Sequence, residues 1–187
     1  MKSKIDQTKQ NAISAKILHR KGKWKYELIY NIVLGLTVFV PLMFLIAHYV
    51  TKGTDYESIV NVISFVLSVV LIIISVFAML IKVTDKIATY QMGIKNNLYI
   101  ANECDNASKL KDAELEWFFR YVTEIDNQDN ITFSNISEDV RRETYRNALK
   151  EFAPGNYEIT CPICHSSPWE FKKGSCQLCG NTPKQKE

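Results

Sequence analysis

The 187-residue sequence lacks the local patterns that many enzymes need. It has no glycine-rich loop for binding phosphates and no nucleophile elbow, which excludes the P-loop and α/β-hydrolase patterns. Its Asp and Glu residues are dispersed as on solvated helix faces and form no convincing acid/base pair. We therefore expect that the protein is not an enzyme.

Charge is missing from two stretches, 30–50 and 59–81, which contain no Asp, Glu, Lys or Arg. Each has about 20 residues, enough to cross a bilayer as a helix. Only the short segment 51–58 separates them, so we predict a transmembrane hairpin over 29–81. A buried helix pair in a soluble protein is the alternative, but 69–74 is apolar on every face. A signal peptide does not fit, because about 28 residues precede the first stretch and no cleavage site follows it.

Basic residues predict the orientation of this hairpin. The loop has only Lys52, whereas lysines and arginines precede the first stretch and follow the second. The positive-inside rule then places both termini in the cytoplasm of a bacterial inner membrane. Segment 1–28 is rich in basic charge: the first 25 positions hold eight of the 23 Lys and Arg residues and one acid. We expect it to lie against anionic lipid headgroups. Nucleic acid is the alternative partner, but the juxtamembrane position explains the charge more simply.

A polar stripe runs along the second stretch at steps of three, four and seven residues. It consists of Asn61, Ser64, Ser68 and Ser75. Small polar residues of this kind either pack helices closely or line an aqueous path. Because two helices cannot enclose such a path, a pore would require a homo-oligomer, and the missing charged ring argues against strong ion selectivity.

Region 82–153 is predicted to be a set of cytosolic helices. Apolar residues at steps of three and four predict helices over 83–101 and 110–125. The polar run 126–130 predicts a break, Asn135 with Glu138 resembles a capping box that begins a third helix, and Pro154 with Gly155 ends it. Cys104 is expected to be a buried structural thiol.

Four cysteines near the C-terminus form two CxxC pairs, Cys161 with Cys164 and Cys176 with Cys179, separated by eleven residues. Two such pairs are typical of a tetrahedral zinc site. Four thiolates leave no open position on the ion, so the zinc would be structural, and residues 154–187 are predicted to form a small zinc ribbon with short strands over 157–160 and 169–171. A disulfide pair or a redox CxxC is the alternative. A reducing cytoplasm and the absence of a preceding βαβ pattern favour zinc.

The predicted ribbon carries a small aromatic and basic patch of four residues. They are Trp169, Phe171, Lys172 and Lys173. Such a patch could contact a protein or a nucleic acid, but so few lysines predict only weak, salt-sensitive nucleic acid binding.

Residues 1 to about 125 resemble the SLATT domains of prokaryotes in their order of basic segment, short-looped hairpin and continuing cytosolic helix. This resemblance implies a pore-forming effector in a phage-defence system, which acts with a separate nucleotide sensor or second-messenger synthase. Residues 157–180 resemble a bacterial mobile-element family described by its CxxC, eleven residues, CxxC signature.

The fold expected from these observations is mainly α, with a two-helix transmembrane hairpin, cytosolic helices and a small C-terminal zinc ribbon. Two functions fit it. The first is an oligomeric, pore-forming membrane effector of a defence or mobile-element conflict system, triggered by a protein sensor. The second is a membrane-anchored adaptor whose ribbon binds a protein or nucleic acid.

Overall fold

A computed structural model of the chain describes residues 2–184; Met1 and residues 185–187, the ends of the predicted basic segment and ribbon tail, lie outside the described part. The fold is mainly helical, as predicted. Its five α-helices are α1 (Lys2–Thr51), α2 (Glu57–Leu80), α3 (Val83–Asn106), α4 (Asp112–Thr132) and α5 (Glu138–Phe152). A short 3-10 helix (Ala107–Lys109) joins α3 to α4, and a region without helices follows α5. Contacts divide the described chain into two compact units, 22–89 and 2–21 with 90–184.

The unit 22–89 contains the predicted hairpin. Helix α1 continues through Pro41 to Thr51, and a tight turn with Gly53 at φ 76° leads into α2. The turn is closed by the Gly53 N–H, which donates to the Glu57 carboxylate at 2.8 Å. Both long helices have the length and apolar composition to cross a membrane, and no residue of their most apolar 18-residue windows is buried. Their surface is therefore suited to an apolar environment.

The other unit is a helical bundle in which the N-terminal part of α1 packs against α3, α4 and α5. Its core combines residues from all four helices, including Ile13, Ile100, Phe118 and Ala148. Burial of such side chains is the dominant stabilising term for a bundle of this kind. Part of the predicted basic segment therefore belongs to a packed core.

Charges of the N-terminal part of α1 are paired with acids on the other helices of this bundle. Lys16 forms an ion pair with Glu151, Lys21 lies 2.8 Å from the Glu143 carboxylate, and Lys9 pairs with Asp105. Lys16 itself is only 9% exposed. Ion pairs with exposed partners contribute little to stability, so the apolar contacts account for most of the packing.

A cluster of buried polar side chains joins three helices of the same bundle. The imidazole Nε2 of His19 on α1 lies 2.7 Å from Oδ1 of Asp129 on α4, and the Asn97 amide on α3 donates to Oδ2 at 2.8 Å. The His19 ring packs against Phe133 with centroids 4.5 Å apart, and it also lies close to Gly93. All three polar residues are almost fully buried.

The predicted break over 126–130 is wrong, because α4 continues through these residues to Thr132. Asp129 points inward to His19 and Asn97, so the polar run follows a helix with one buried polar position. The chain turns instead at 133–137, and α5 then begins at Glu138 after Ser137 as N-cap. The predicted strands over 157–160 and 169–171 are also wrong. In the described part of the chain, the C-terminal region has only an isolated antiparallel bridge between Lys173 and Asn181.

Candidate metal centre

Two similar turns bring the four cysteines together. In the first, the His165 N–H donates to the Cys161 carbonyl at 2.9 Å, and the Cys161 N–H donates to the Ser166 carbonyl at 3.0 Å. The second turn repeats both bonds: the Gly180 N–H donates to the Cys176 carbonyl at 2.8 Å, and the Cys176 N–H donates to Asn181 at 3.1 Å.

The residue after each second cysteine adopts a left-handed conformation, with φ of 56° at His165 and 70° at Gly180. This conformation reverses the chain within one turn, which leaves both sulfur atoms of a CxxC pair on the same side. The two turns are thus equivalent knuckles, each presenting two thiols to the same point.

The four sulfur atoms form a compact and buried cluster. All Sγ atoms lie within 4.8 Å of one another, with 4.0 Å between Cys161 and Cys176 and 3.3 Å between Cys164 and Cys179. Tetrahedral coordination with metal–sulfur bonds of about 2.3 Å requires sulfur separations of roughly 3.8 Å. The observed sulfur–sulfur separations lie on both sides of this value. All of them exceed the S–S bond length of a disulfide, which is roughly 2 Å. The cluster therefore fits a metal ion bound by four thiolates.

A protein-family model described as Mobilome CxxCx(11)CxxC protein matches residues 2–182. The chain belongs to this family. The match extends over the helices as well as the cysteine knuckles that give the family its description. No curated protein and no solved structure matches the chain.

The surroundings of the thiols in this mobilome protein act on their pKa values in opposite directions. Burial raises the pKa of Cys161, although backbone N–H groups of Ile163 and Cys164 oppose it. Burial also acts upward at Cys164, but hydrogen bonds from the Ser166 backbone and hydroxyl prevail and lower its pKa to about 7. Burial and the neighbouring thiols raise the pKa of Cys179. Because a metal binds thiolates, its binding must release protons from this cluster.

Helix α5 supports the knuckles from one side through its basic residues. Arg146 donates to the Cys179 carbonyl, and Nε of Arg142 donates to the Gln177 carbonyl at 3.2 Å. Tyr145 and Leu149 of α5 pack against the four cysteines. The second knuckle is thereby fixed to the helical bundle.

The aromatic and basic patch predicted on the ribbon is extended by α5. The Arg146 guanidinium lies 3.8 Å from the Phe171 ring centroid, and the Lys150 ammonium lies 4.9 Å from that of Trp169. Phe171 is 51% exposed, and Lys172 and Lys173 are exposed beside it. Two cations of α5 therefore lie over the rings, and two exposed lysines follow Phe171 in the sequence.

The polar stripe of the mobilome protein lies on α2. Ser64, Ser68 and Ser75 are half-buried, and Asn61 is exposed with its Oδ1 3.2 Å from Nδ1 of His48 on α1. The Ser68 hydroxyl donates to the Ser64 carbonyl at 2.7 Å. Whether the stripe packs helices or lines a path stays a prediction.

Sequence reasoning missed Asn181, which holds the ribbon loop in place. Its amide accepts a hydrogen bond from the Lys172 N–H at 2.8 Å and donates to the Ser167 carbonyl at 3.0 Å, while the residue is 1% exposed. It also missed Arg142 and Arg146, which contact the second knuckle. For Asn181, the signal available in the sequence was its position directly after the Cys176–Gly180 knuckle.

Proposed function

We propose that this protein is a multi-pass protein of the bacterial inner membrane and acts there as an oligomeric, pore-forming effector in a mobile-element conflict or phage-defence system. The observation that carries the proposal is the complete lack of buried residues in the apolar windows of both long helices. Such surface needs lipid or further copies of the chain around it. Membership in a mobilome family supports the biological setting, and the resemblance to SLATT domains supports the effector role.

The ion held by the cysteine cluster is, in this proposal, zinc. Zinc prefers tetrahedral thiolate sites, and four cysteines close its coordination shell, so it supplies structure and no reaction. Cys161, Cys164, Cys176 and Cys179 hold it, while Arg142 and Arg146 join the ribbon to α5. A separate sensor protein supplies the trigger.

The effector function is tested by measuring membrane potential with a voltage-sensitive dye after expression in bacteria. We expect depolarisation by the unaltered chain and its loss in Ser68→Leu, because the larger apolar side chain removes a hydroxyl from the stripe. Val66→Leu is the matched control, since Val66 is 53% exposed and lies outside the stripe. Carbonate extraction confirms equal insertion of all three chains. Depolarisation by Ser68→Leu equal to that of the unaltered chain would contradict the role of the stripe, and no depolarisation by the overexpressed unaltered chain would contradict a pore that can open without its sensor.

A second function, a membrane-anchored adaptor, is favoured by the exposed rings of Phe171 and Trp169 with cations over them. Exposed aromatic rings flanked by cations can stack with the bases of single-stranded nucleic acid or contact a protein partner. Binding of an oligonucleotide should then fall steeply with salt and vanish in the Lys172→Glu, Lys173→Glu variant. The Lys52→Glu, Lys86→Glu variant changes the net charge by the same amount at exposed positions outside the ribbon and controls for overall charge. The absence of oligonucleotide binding would remove the nucleic acid form of the adaptor.

A further inference from the structure

A cavity of about 380 Å³ lies in the unit 22–89, where α1 passes the junction between α2 and α3. Its walls are formed by three helices. The junction of α2 and α3 contributes an ammonium, a carboxylate and a hydroxyl group to the lining, from Lys82, Asp85 and Thr84. The rest of the lining is mostly apolar and includes Val33, Leu34 and Met79. This amphiphilic lining fits a molecule with a polar head and an apolar tail.

The polar side is built on an unusual backbone conformation. Lys82 has φ of 53°, a left-handed conformation that is unfavourable for a residue with a side chain. Its N–H donates to the Met79 carbonyl, and its own carbonyl accepts from Lys86, so it ends α2 and begins α3. A glycine would fit this position without strain. The lysine side chain is thus held at the mouth of the cavity at a conformational cost.

The two charges at this mouth are not paired with each other or with other described residues. In the described part of the chain, no ion pair involves Lys82 or Asp85. One cation and one anion side by side are complementary to a zwitterion. They match a headgroup whose phosphate meets Lys82 and whose ammonium meets Asp85.

The cavity continues toward the middle of the hairpin. A second cavity of about 560 Å³ shares Thr37 and Met79 with it and extends to Pro41 and Ser68. From Ser68 to Leu80 the helix rises about 18 Å. The apolar part of one leaflet is about 15 Å deep, half of a core of about 30 Å. The groove therefore has the length of an acyl chain in one leaflet.

We propose that this groove is a binding site for a phosphatidylethanolamine lipid. Its acyl chain lies along α2, its phosphate contacts Lys82, and its primary ammonium donates hydrogen bonds to Asp85. This inference rests on the proposed membrane location of the hairpin. Phosphatidylcholine cannot donate these hydrogen bonds, and the headgroup of phosphatidylglycerol brings no cation to Asp85, so the site should select among phospholipids.

The test is native mass spectrometry of the full-length chain released from nanodiscs that contain equal amounts of phosphatidylethanolamine, phosphatidylglycerol and phosphatidylcholine. We expect retained lipid to be mainly phosphatidylethanolamine. Asp85→Asn should lower its preference over phosphatidylcholine roughly tenfold, the effect of losing one charge-assisted hydrogen bond. Lys82→Gly keeps the left-handed backbone and should lower retention of all three lipids. Lys86→Ala, which removes a lysine outside the lining, should change nothing.

Equal retention of the three lipids, an unchanged preference in Asp85→Asn, or a second copy of the chain in place of lipid would overturn the inference. Carbonate extraction separates this result from a failure of the proposed function. A chain that carbonate removes from membranes overturns both proposals. An inserted chain without lipid preference overturns only the lipid site.

Discussion

Replacing Gly93 by alanine tests whether the buried His19 cluster fixes the packing of the helical bundle. A Cβ at Gly93 would lie closer than 3.0 Å to three atoms of the His19 imidazole. The ring is 1% exposed and bonded to Asp129, with Phe133 against it, so any movement of the ring disturbs these contacts. The methyl group must therefore displace the ring or separate the helices.

Two effects of this substitution oppose each other. Alanine in a helix interior is favoured over glycine by about 1 kcal/mol. Overpacking costs about 1–3 kcal/mol, and a displaced ring loses instead a charge-assisted hydrogen bond of similar worth, about 1.5–3 kcal/mol. The clash should prevail, with a net loss of about 0.5–2 kcal/mol once the helix-propensity gain is subtracted. For a chain of this size, such a loss corresponds to a fall in Tm of about 1–8 °C.

The assay is thermal unfolding of the detergent-solubilised chain, followed by circular dichroism of its aromatic side chains. Gly35→Ala is the matched control, because Gly35 is also helical and has no atom within 4 Å of the added Cβ. His19→Ala should remove the penalty of Gly93→Ala and give a coupling energy equal to the full cost of the clash, about 1–3 kcal/mol, in a double-mutant cycle. A rise in Tm for Gly93→Ala in the unaltered background would refute the argued contact.

Three further predictions concern the ribbon and the buried thiol. Cys176→Ser should lower the zinc content measured by atomic emission, whereas Cys104→Ser should leave it at one ion per chain; equal zinc content would contradict the four-cysteine site. Arg146→Ala should destabilise the chain by about 1–2 kcal/mol in thermal unfolding, since it loses a hydrogen bond and the stack on Phe171, while Arg120→Ala, an exposed partner of Glu116, should cost less than about 0.5 kcal/mol. Burial, together with nearby carboxylates, raises the pKa of the Cys104 thiol to about 11. The stability that the buried neutral thiol contributes should be fully present below the ordinary pKa of 9.0 and be lost as the pH rises through about 11. Rapid alkylation of Cys104 by iodoacetamide at neutral pH would contradict this.

The sequence was sufficient to predict the features that depend on short spacing or on composition. The CxxC pairs specify their own knuckles, because each turn is closed by local backbone hydrogen bonds such as the one from His165 to Cys161. The hairpin follows from two charge-free stretches with a short polar turn between them. Such local signals need no knowledge of distant parts of the chain.

The features that were missed depend on contacts between distant segments. Asp129 lies in a polar run typical of a loop, but His19, 110 residues away, provides the partner that allows its burial in a helix. The basic charge of the N-terminal segment also concealed its apolar face, although Ile5, Ala12 and Ile13 recur at helical spacing and lie in the core. That spacing was a usable signal. The predicted strands failed because Asn181 and the metal-site turns, and no sheet, organise this part of the chain.

The similarity of the two knuckles makes a difference between their apolar residues informative. Ile163 and Leu178 occupy the same place in each, directly before the second cysteine. Leu178 packs on the cluster with Tyr145 and Leu149, whereas Ile163 is 63% exposed. The second knuckle is thus attached to α5 through Leu178, whereas the first knuckle exposes the corresponding side chain, Ile163. Substitutions at Leu178 should change the strength of the attachment between the knuckles and α5. Substitutions at Ile163 should change only the contacts that other molecules make with the outer surface of the first knuckle.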